Sequence, residues 1–292
     1  MNYKLTSAEQ LVTLCAEHGC GIGEIMVRRE TELAECSRDE VEQKLQRAWT
    51  IMREAAELAL THPQRSMGGL IGGEAKALKT LADAGKSICG GAVSRAAAYA
   101  LGTLEVNASM GLIVSAPTAG SSGVLPGVLL ALQEQQGFRE GTMLDALACA
   151  GAIGMIIARN ATIAGAEGGC QAEVGAASAM AAAAAVQLMG GSPAQSCAAA
   201  ASAISNLLGL VCDPIRGLVE APCQGRNAMG AVNAMLCAEL SLAGAVPNIP
   251  LDEVIAAMYA VGKSLPSELR ETAMGGIAAC PSAMSGACAG CK

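Results

Sequence analysis

Between Glu173 and Asp213 the chain carries no charged residue. A stretch of that length must leave water, either for the core of a globular protein or for a lipid bilayer. Its first arm, from Ala176 to Ala185, is almost entirely alanine, and Gly190-Gly191-Ser192-Pro193 supplies a turn into a second arm. Alanine gains little from lipid compared with leucine or isoleucine. Gln187, Gln195, Ser196, Ser202, Ser205 and Asn206 dilute what apolar character remains. The pattern predicts a buried hairpin of core helices rather than a membrane span.

The rest of the composition agrees with a packed helical protein. Apolar residues make up 52% of the chain, which excludes disorder as its overall state, and aromatics only 2%. Strands favour β-branched and aromatic side chains, whereas alanine and glycine let helices approach closely, so the expected fold class is all-α. The net charge is −7 and no run of Lys or Arg stands out. That argues against nucleic acid and against anionic membrane surfaces, both of which call for a basic patch. The N-terminal residues lack the apolar core of a signal peptide, which places the expected location in the cytoplasm. There the 13 cysteines are expected as thiols rather than disulfides. With His18 and His62 the only histidines, a histidine-rich zinc site is nearly excluded.

Residues 1–60 hold a high share of the charge and read as an N-terminal helical extension packed on residues 61–292, the two forming one domain. Ser7 to Gln10 and Ser37 to Glu40 have the form of capping boxes. The second opens a helix with Val41, Leu45, Trp49, Met52 and Ala56 on one stripe. From His62-Pro63 to Gly123, glycine-rich loops (Ser66 to Gly73, Gly90-Gly91, Ser115 to Gly123) alternate with short apolar segments. Helices are expected over 124–134, 142–158 and about 227–243. Another should start at Pro250-Leu251-Asp252-Glu253, with proline in its first turn. The tail after Gly275-Gly276 is expected to be irregular.

Three cysteines lie beside glycine or proline where loops meet helices: Cys170 in Gly168-Gly169-Cys170, Cys212 before Asp213-Pro214, and Cys223 after Pro222. Such positions free the backbone to point a thiolate at a shared centre, and helix N-termini after Cys170 and Cys223 would favour the thiolate. Thiolates are the usual ligands of iron–sulfur clusters. Spacing alone leaves ordinary burial open, as it does for Cys149, Cys197 and Cys237 inside apolar helical runs.

Gly165 to Ala184, Leu210 to Asn227 and Ser115 to Gly123, within a span from about Arg65 to Ala278, resemble the iron–sulfur-dependent L-serine dehydratases, in particular their α subunit or catalytic domain. The resemblance implies a 4Fe–4S cluster on Cys170, Cys212 and Cys223, with one iron free of protein thiolate during turnover. It implies loss of water from L-serine, giving pyruvate and ammonia without pyridoxal phosphate. An open iron would act as the Lewis acid for the departing hydroxyl. Some members cap that iron at rest with a C-terminal cysteine. Cys291 could take that part here, although the longer tail puts its reach in question. Single-chain members carry an additional regulatory domain upstream, so a separate small β subunit is the expected partner.

For the substrate carboxylate, Ser115, Thr118, Ser121 and the amides from Gly120 to Gly123 offer donors ahead of a helix. Ser66, Gly68 and Gly69 form a second such loop. Asn160, Arg226 and Asn227 also match the family pattern. Arg226 could pair with the substrate carboxylate or, equally, form a salt bridge with Glu220 or Asp213. The base that removes the α-hydrogen is left among Lys263, Glu173, Glu167 and His62. Two other functions fit the same cysteines: a cluster-dependent lyase releasing sulfide from L-cysteine, and a non-catalytic iron–sulfur sensor.

Overall fold

The alanine-rich segment folds as two antiparallel helices at the centre of the molecule. The computed structural model describes residue 3, residues 5–245 and residues 248–285. Thirteen α-helices lie among them: α1 (Ala8–His18), α2 (Ile22–Leu33), α3 (Arg38–Thr61), α4 (Glu74–Asp83), α5 (Gly91–Ala108), α6 (Val124–Gln136), α7 (Glu140–Asn160), α8 (Gly165–Gly168), α9 (Ala176–Leu188), α10 (Pro193–Ser205), α11 (Cys223–Leu242), α12 (Leu251–Ser264) and α13 (Pro281–Met284). The described residues contain no strand, and the fold is all-α as the composition requires.

Every residue of α9 except Gln187 is buried, and α6, α7, α10 and α11 surround it. Gln187 is the one polar interruption near its end. It is satisfied by bonding to the Asp145 carbonyl and accepting from the Gly23 amide, both at 3.1 Å. The two arms of the hairpin are 13 residues each, shorter than the ~20 residues a bilayer needs. Ser192 and Gln195 close a capping box at the start of α10, with Pro193 in the first turn. Among the described residues one helix, α7, is long and apolar enough to cross a membrane by length and composition, and 61% of its most apolar window is buried.

Small residues set the spacing between helices. A Cβ at Gly102 of α5 would lie 2.9 Å from the Ala56 carbonyl of α3, and one at Gly127 of α6 would lie 2.7 Å from the Ala96 carbonyl of α5. Larger side chains would hold these axes apart. The first three helices join the same continuous core through Leu11, Ile25, Trp49 and Met52. At Ser37 the expected capping box forms with Glu40. At Ser7 only half of it does: the hydroxyl caps the Gln10 amide, but the Gln10 side chain turns to Thr6 instead.

Two expectations need correction. The segments between the glycine-rich loops of residues 63–123 are not all short: α4 and the 18-residue α5 lie among them. α5 is hidden in the sequence because it begins at Gly91 and carries Glu105, a charged residue that is nonetheless 0% exposed. In addition, α11 starts at Cys223 rather than near Asn227, so Cys223 is the first residue of a helix, with Pro222 as its cap. The helix after Pro250 and those near 124 and 142 appear where expected, each of the last two reaching about two residues further at its end.

Candidate metal centre

Residues 169–175 leave α-helical geometry on the way into α9. Gly169 takes a φ of +75°, and Gln171–Gly175 forms a π-helical turn, a distortion that recurs at functional sites. The Gln171 side chain holds the turn in place by bonding to the Met258 carbonyl (3.0 Å) and accepting from the Gly209 amide (2.9 Å). This geometry aims Cys170 and Glu173 at Cys212, which arrives on an extended segment. There the Cys212 amide donates to the Leu269 carbonyl and its carbonyl accepts from Glu271, at 2.8 and 2.7 Å. The two Sγ atoms and a Glu173 carboxylate oxygen all lie within 4.8 Å of one another.

The space these groups share is defined by glycine. A Cβ at Gly165 would fall 2.6 Å from Glu173 Oε2 and 3.1 Å from Cys212 Sγ, and one at Gly120 would fall 3.1 Å from Glu173 Oε1. Thr118 Oγ1 donates to Glu173 Oε1 at 2.8 Å and lies 3.0 Å from Ser121 Oγ. Burial raises the Glu173 carboxyl above its ordinary range despite that bond. Of the two neighbouring thiols, Cys170 is the more acidic. The hydrogen bond from Cys212 and the nearby Arg226 charge both lower its pKa, while burial opposes them. The same hydrogen bond, together with burial, pushes Cys212 far up. Cys223 is buried, its thiol raised to about 12 by burial and by the charges of Cys170 and Glu173. It is close enough to feel that centre but lies outside the tightest group of donors.

Arg226 ties the centre together. Nη1 donates to Cys170 Sγ (3.5 Å) and to the Val211 carbonyl (2.9 Å), and Nη2 pairs with Asp213 Oδ1 at 2.7 Å. Of the partners left open by the sequence, the structure selects Asp213, whose Oδ2 also accepts from the Ile277 amide at 2.7 Å. Asn227, 0% exposed, accepts from the Gly123 amide (3.0 Å) and donates to the carbonyls of Gly120 (2.7 Å) and Cys223 (2.9 Å). It thereby pins the Thr118–Gly123 loop to the helix that carries Cys223.

Other expected residues lie elsewhere. Ser66 and Gly68 bond to Glu220 rather than opening toward the cysteines. Ser115 is exposed. Asn160 donates to the carbonyls of Thr6 and Ile156, both at 2.9 Å, and makes no bond to the cysteine group. Lys263 is exposed, its Nζ 5.1 Å from the Tyr259 ring centre, and Glu167 and His62 are exposed as well. Cys291 lies outside the described residues. Sequence reasoning missed Gln171 and the role of Gly165. The Gly-Gly before Cys170 announced irregular backbone, but no pattern announces a π-turn.

Two soft sulfur donors beside a third buried cysteine, with a carboxylate and an arginine that stabilises negative sulfur, form a donor set suited to an iron–sulfur group. Residues 17–278 match the family described as serine dehydratase alpha chain. The chain is 46% identical to a probable L-serine dehydratase alpha chain of Bacillus subtilis (strain 168), over 94% of this chain and 91% of that one. It is 45% identical to an L-serine dehydratase alpha chain of Peptoniphilus asaccharolyticus, over 94% of both chains. It is 36% identical to an L-serine dehydratase of Streptomyces coelicolor, over 95% of this chain but 61% of that longer protein. With residues 17–278 matched and about nine-tenths of its length shared with such relatives, the chain belongs to the serine dehydratase alpha chain family.

Proposed function

We propose that this chain is the catalytic α subunit of an L-serine dehydratase. It would eliminate water from L-serine to give pyruvate and ammonia, with a 4Fe–4S cluster on Cys170, Cys212 and Cys223 and a separate small β subunit as partner. The observation that carries the reading is the convergence of Cys170, Cys212 and Glu173 within 4.8 Å, in a chain 45% identical to a named L-serine dehydratase alpha chain. The longer relative, of which the match covers 61%, supports a partner by showing that further polypeptide accompanies this unit elsewhere. When bound, such a cluster supplies a Lewis-acidic iron for the departing hydroxyl.

The chain's own residues account for the other requirements. Glu173 is the one expected base inside the centre, and it takes the α-proton at Oε2, because Oε1 is held by Thr118 at 2.8 Å. Partial desolvation leaves the carboxylate a stronger proton acceptor than in solvent. The substrate carboxylate sits on the Thr118–Gly123 loop. There the amides of Ser121 and Ser122 are spent on the carbonyls of Thr118 and Ala119, and that of Gly123 on Asn227. The amides of Ala119 and Gly120 have no acceptor among the described residues and remain for the substrate. Arg226 is a positioning residue, committed to Cys170 and Asp213.

Anaerobic purification with iron determination, followed by assays of pyruvate from L-serine and from L-cysteine, tests the reading. Cys212→Ser should abolish visible absorbance and pyruvate formation together. Retained activity without iron, or a preference for cysteine, would overturn it.

A further inference from the structure

We propose that Glu220 is a positioning residue for Cys223, and that the Ser66–Leu70 loop is a nest for this internal carboxylate rather than for the carboxylate of a substrate. The proposal rests on the reading of Cys223 as a cluster ligand. The anchor itself is visible without it.

Cys212 and Cys223 are the two ends of an irregular strap, residues 213–222, in which Arg216 takes a φ of +57°. Such a strap has little regular hydrogen bonding to fix it, yet it must deliver two ligands to one centre. A buried carboxylate anchors each end. Beside Cys212, Asp213 is held by Arg226 and the Ile277 amide. Three residues before Cys223, Glu220 accepts from Ser66 Oγ (2.6 Å), the Gly68 amide (2.6 Å) and the Leu70 amide (2.9 Å). Its own carbonyl accepts the Gln224 amide at 2.9 Å, so Glu220 also caps the helix that begins with Cys223. The loop is in turn fixed to the end of α5 by the Met67 amide, which donates to the Ala108 carbonyl at 2.8 Å.

The nest has no room for a second anion. Glu220 is 3% exposed and Ser66 5%. A mere Cβ at Gly68 would meet Leu218 Cδ1 at 2.3 Å and Glu220 Oε1 at 2.7 Å. A substrate carboxylate could enter only by expelling Glu220 from three charge-assisted bonds, which are about twice as strong as neutral ones. The donors that look like a substrate site in the sequence are therefore consumed by the fold.

Glu220→Gln tests this, because either orientation of the amide places an N–H against a backbone N–H, at Gly68 or at Leu70. The full chain, metal-free, is treated with iodoacetamide, and each cysteine's rate is read by peptide mass spectrometry. We expect Cys223 to react about tenfold faster, the factor that corresponds to ~1.4 kcal/mol, with Cys170 and Cys212 changed by less than about twofold. After anaerobic reconstitution, iron release to a chelator should accelerate in parallel, and the KM for L-serine of the iron-loaded fraction should stay within about twofold. Ser66→Ala, which removes one donor of three, should give the same pattern at smaller amplitude and serves if Glu220→Gln does not fold. Unchanged Cys223 reactivity would overturn the proposal, as would equal acceleration of all three cysteines. A KM rise with iron release unchanged would return the nest to the substrate. A wild-type chain that binds no iron would sink the cluster reading while leaving the Cys223 rates to test the anchor.

Discussion

Replacing Gly165 by alanine separates stability from activity at this centre. Gly165 is the first residue of the short helix α8 and has no positive φ, so the backbone tolerates alanine there. Helical propensity alone favours the change by up to about 1 kcal/mol. The new methyl, however, would lie 2.6 Å from Glu173 Oε2 and 3.1 Å from Cys212 Sγ. Relief requires the carboxylate to move by roughly half an ångström or more, which strains its 2.8 Å bond from Thr118. A hydrogen bond to a charged group is worth about 1.5–3 kcal/mol, and a misplacement of this order can cost about 100-fold in rate. The expected result is a melting temperature within a few degrees of wild type and a kcat for pyruvate formation lowered about 10- to 100-fold. A lactate dehydrogenase-coupled assay reads the rate and calorimetry the stability. Gly151→Ala in α7, where a Cβ would meet nothing within 4 Å, is the control. A Gly165→Ala protein with wild-type rate and iron content would refute the placement of Glu173 in the reaction.

Three further substitutions probe the surroundings. Arg226→Met leaves Asp213, 2% exposed in its side chain, without its cation; breaking a buried pair costs about 3–5 kcal/mol, which urea denaturation of the metal-free chain should show. Burial raises the Glu105 carboxyl, so the folded state binds the proton more tightly and stability falls as pH rises from the ordinary carboxylate range through the raised value. Glu105→Gln keeps the acceptor for the Ala75 amide and the Gln224 side chain and should stabilise the chain at pH 7, the gap closing toward pH 4 in melts across that range. Asn227→Ala frees the Gly120 carbonyl and the Gly123 amide, and steady-state kinetics should show serine KM rising about tenfold, more than kcat falls.

What the sequence revealed and what it hid divide along physical lines. The hairpin was legible because a long absence of charge has few structural solutions, and Ser192-Pro193 marks the helix start by known capping chemistry. Cys170, Cys212 and Cys223 were legible as candidates through their glycine and proline neighbours. Spacing alone could not separate them from Cys149 and Cys197, which lie in helices and are simply buried. The partner of Arg226 stayed open between Glu220 and Asp213 because the strap between the cysteines decides it, and an irregular strap has no periodicity to read. Likewise the Ser66 loop looks open from its residue types. Only the fold shows that Glu220, 154 residues later, already fills it.

The alanine hairpin and the candidate metal centre are parts of one design problem. A π-turn and an irregular strap are weakly determined by local bonding, so their geometry must be imposed by what they join. The π-turn runs without a break into α9, whose residues from Ala176 to Val186 are all buried. Alanine loses no rotamer entropy on burial and has no side chain to rearrange, which allows four helices to close on α9 with little freedom left. Cys170 and Glu173 sit at the mouth of that rigid element. Their second supports, Arg226 on Cys170 and Thr118 on Glu173, come from α11 and from the loop that Asn227 of α11 pins. α11 itself packs along α9. Helix α9 itself contributes no donor to the centre, yet it ties the supports on both sides of that centre to one axis.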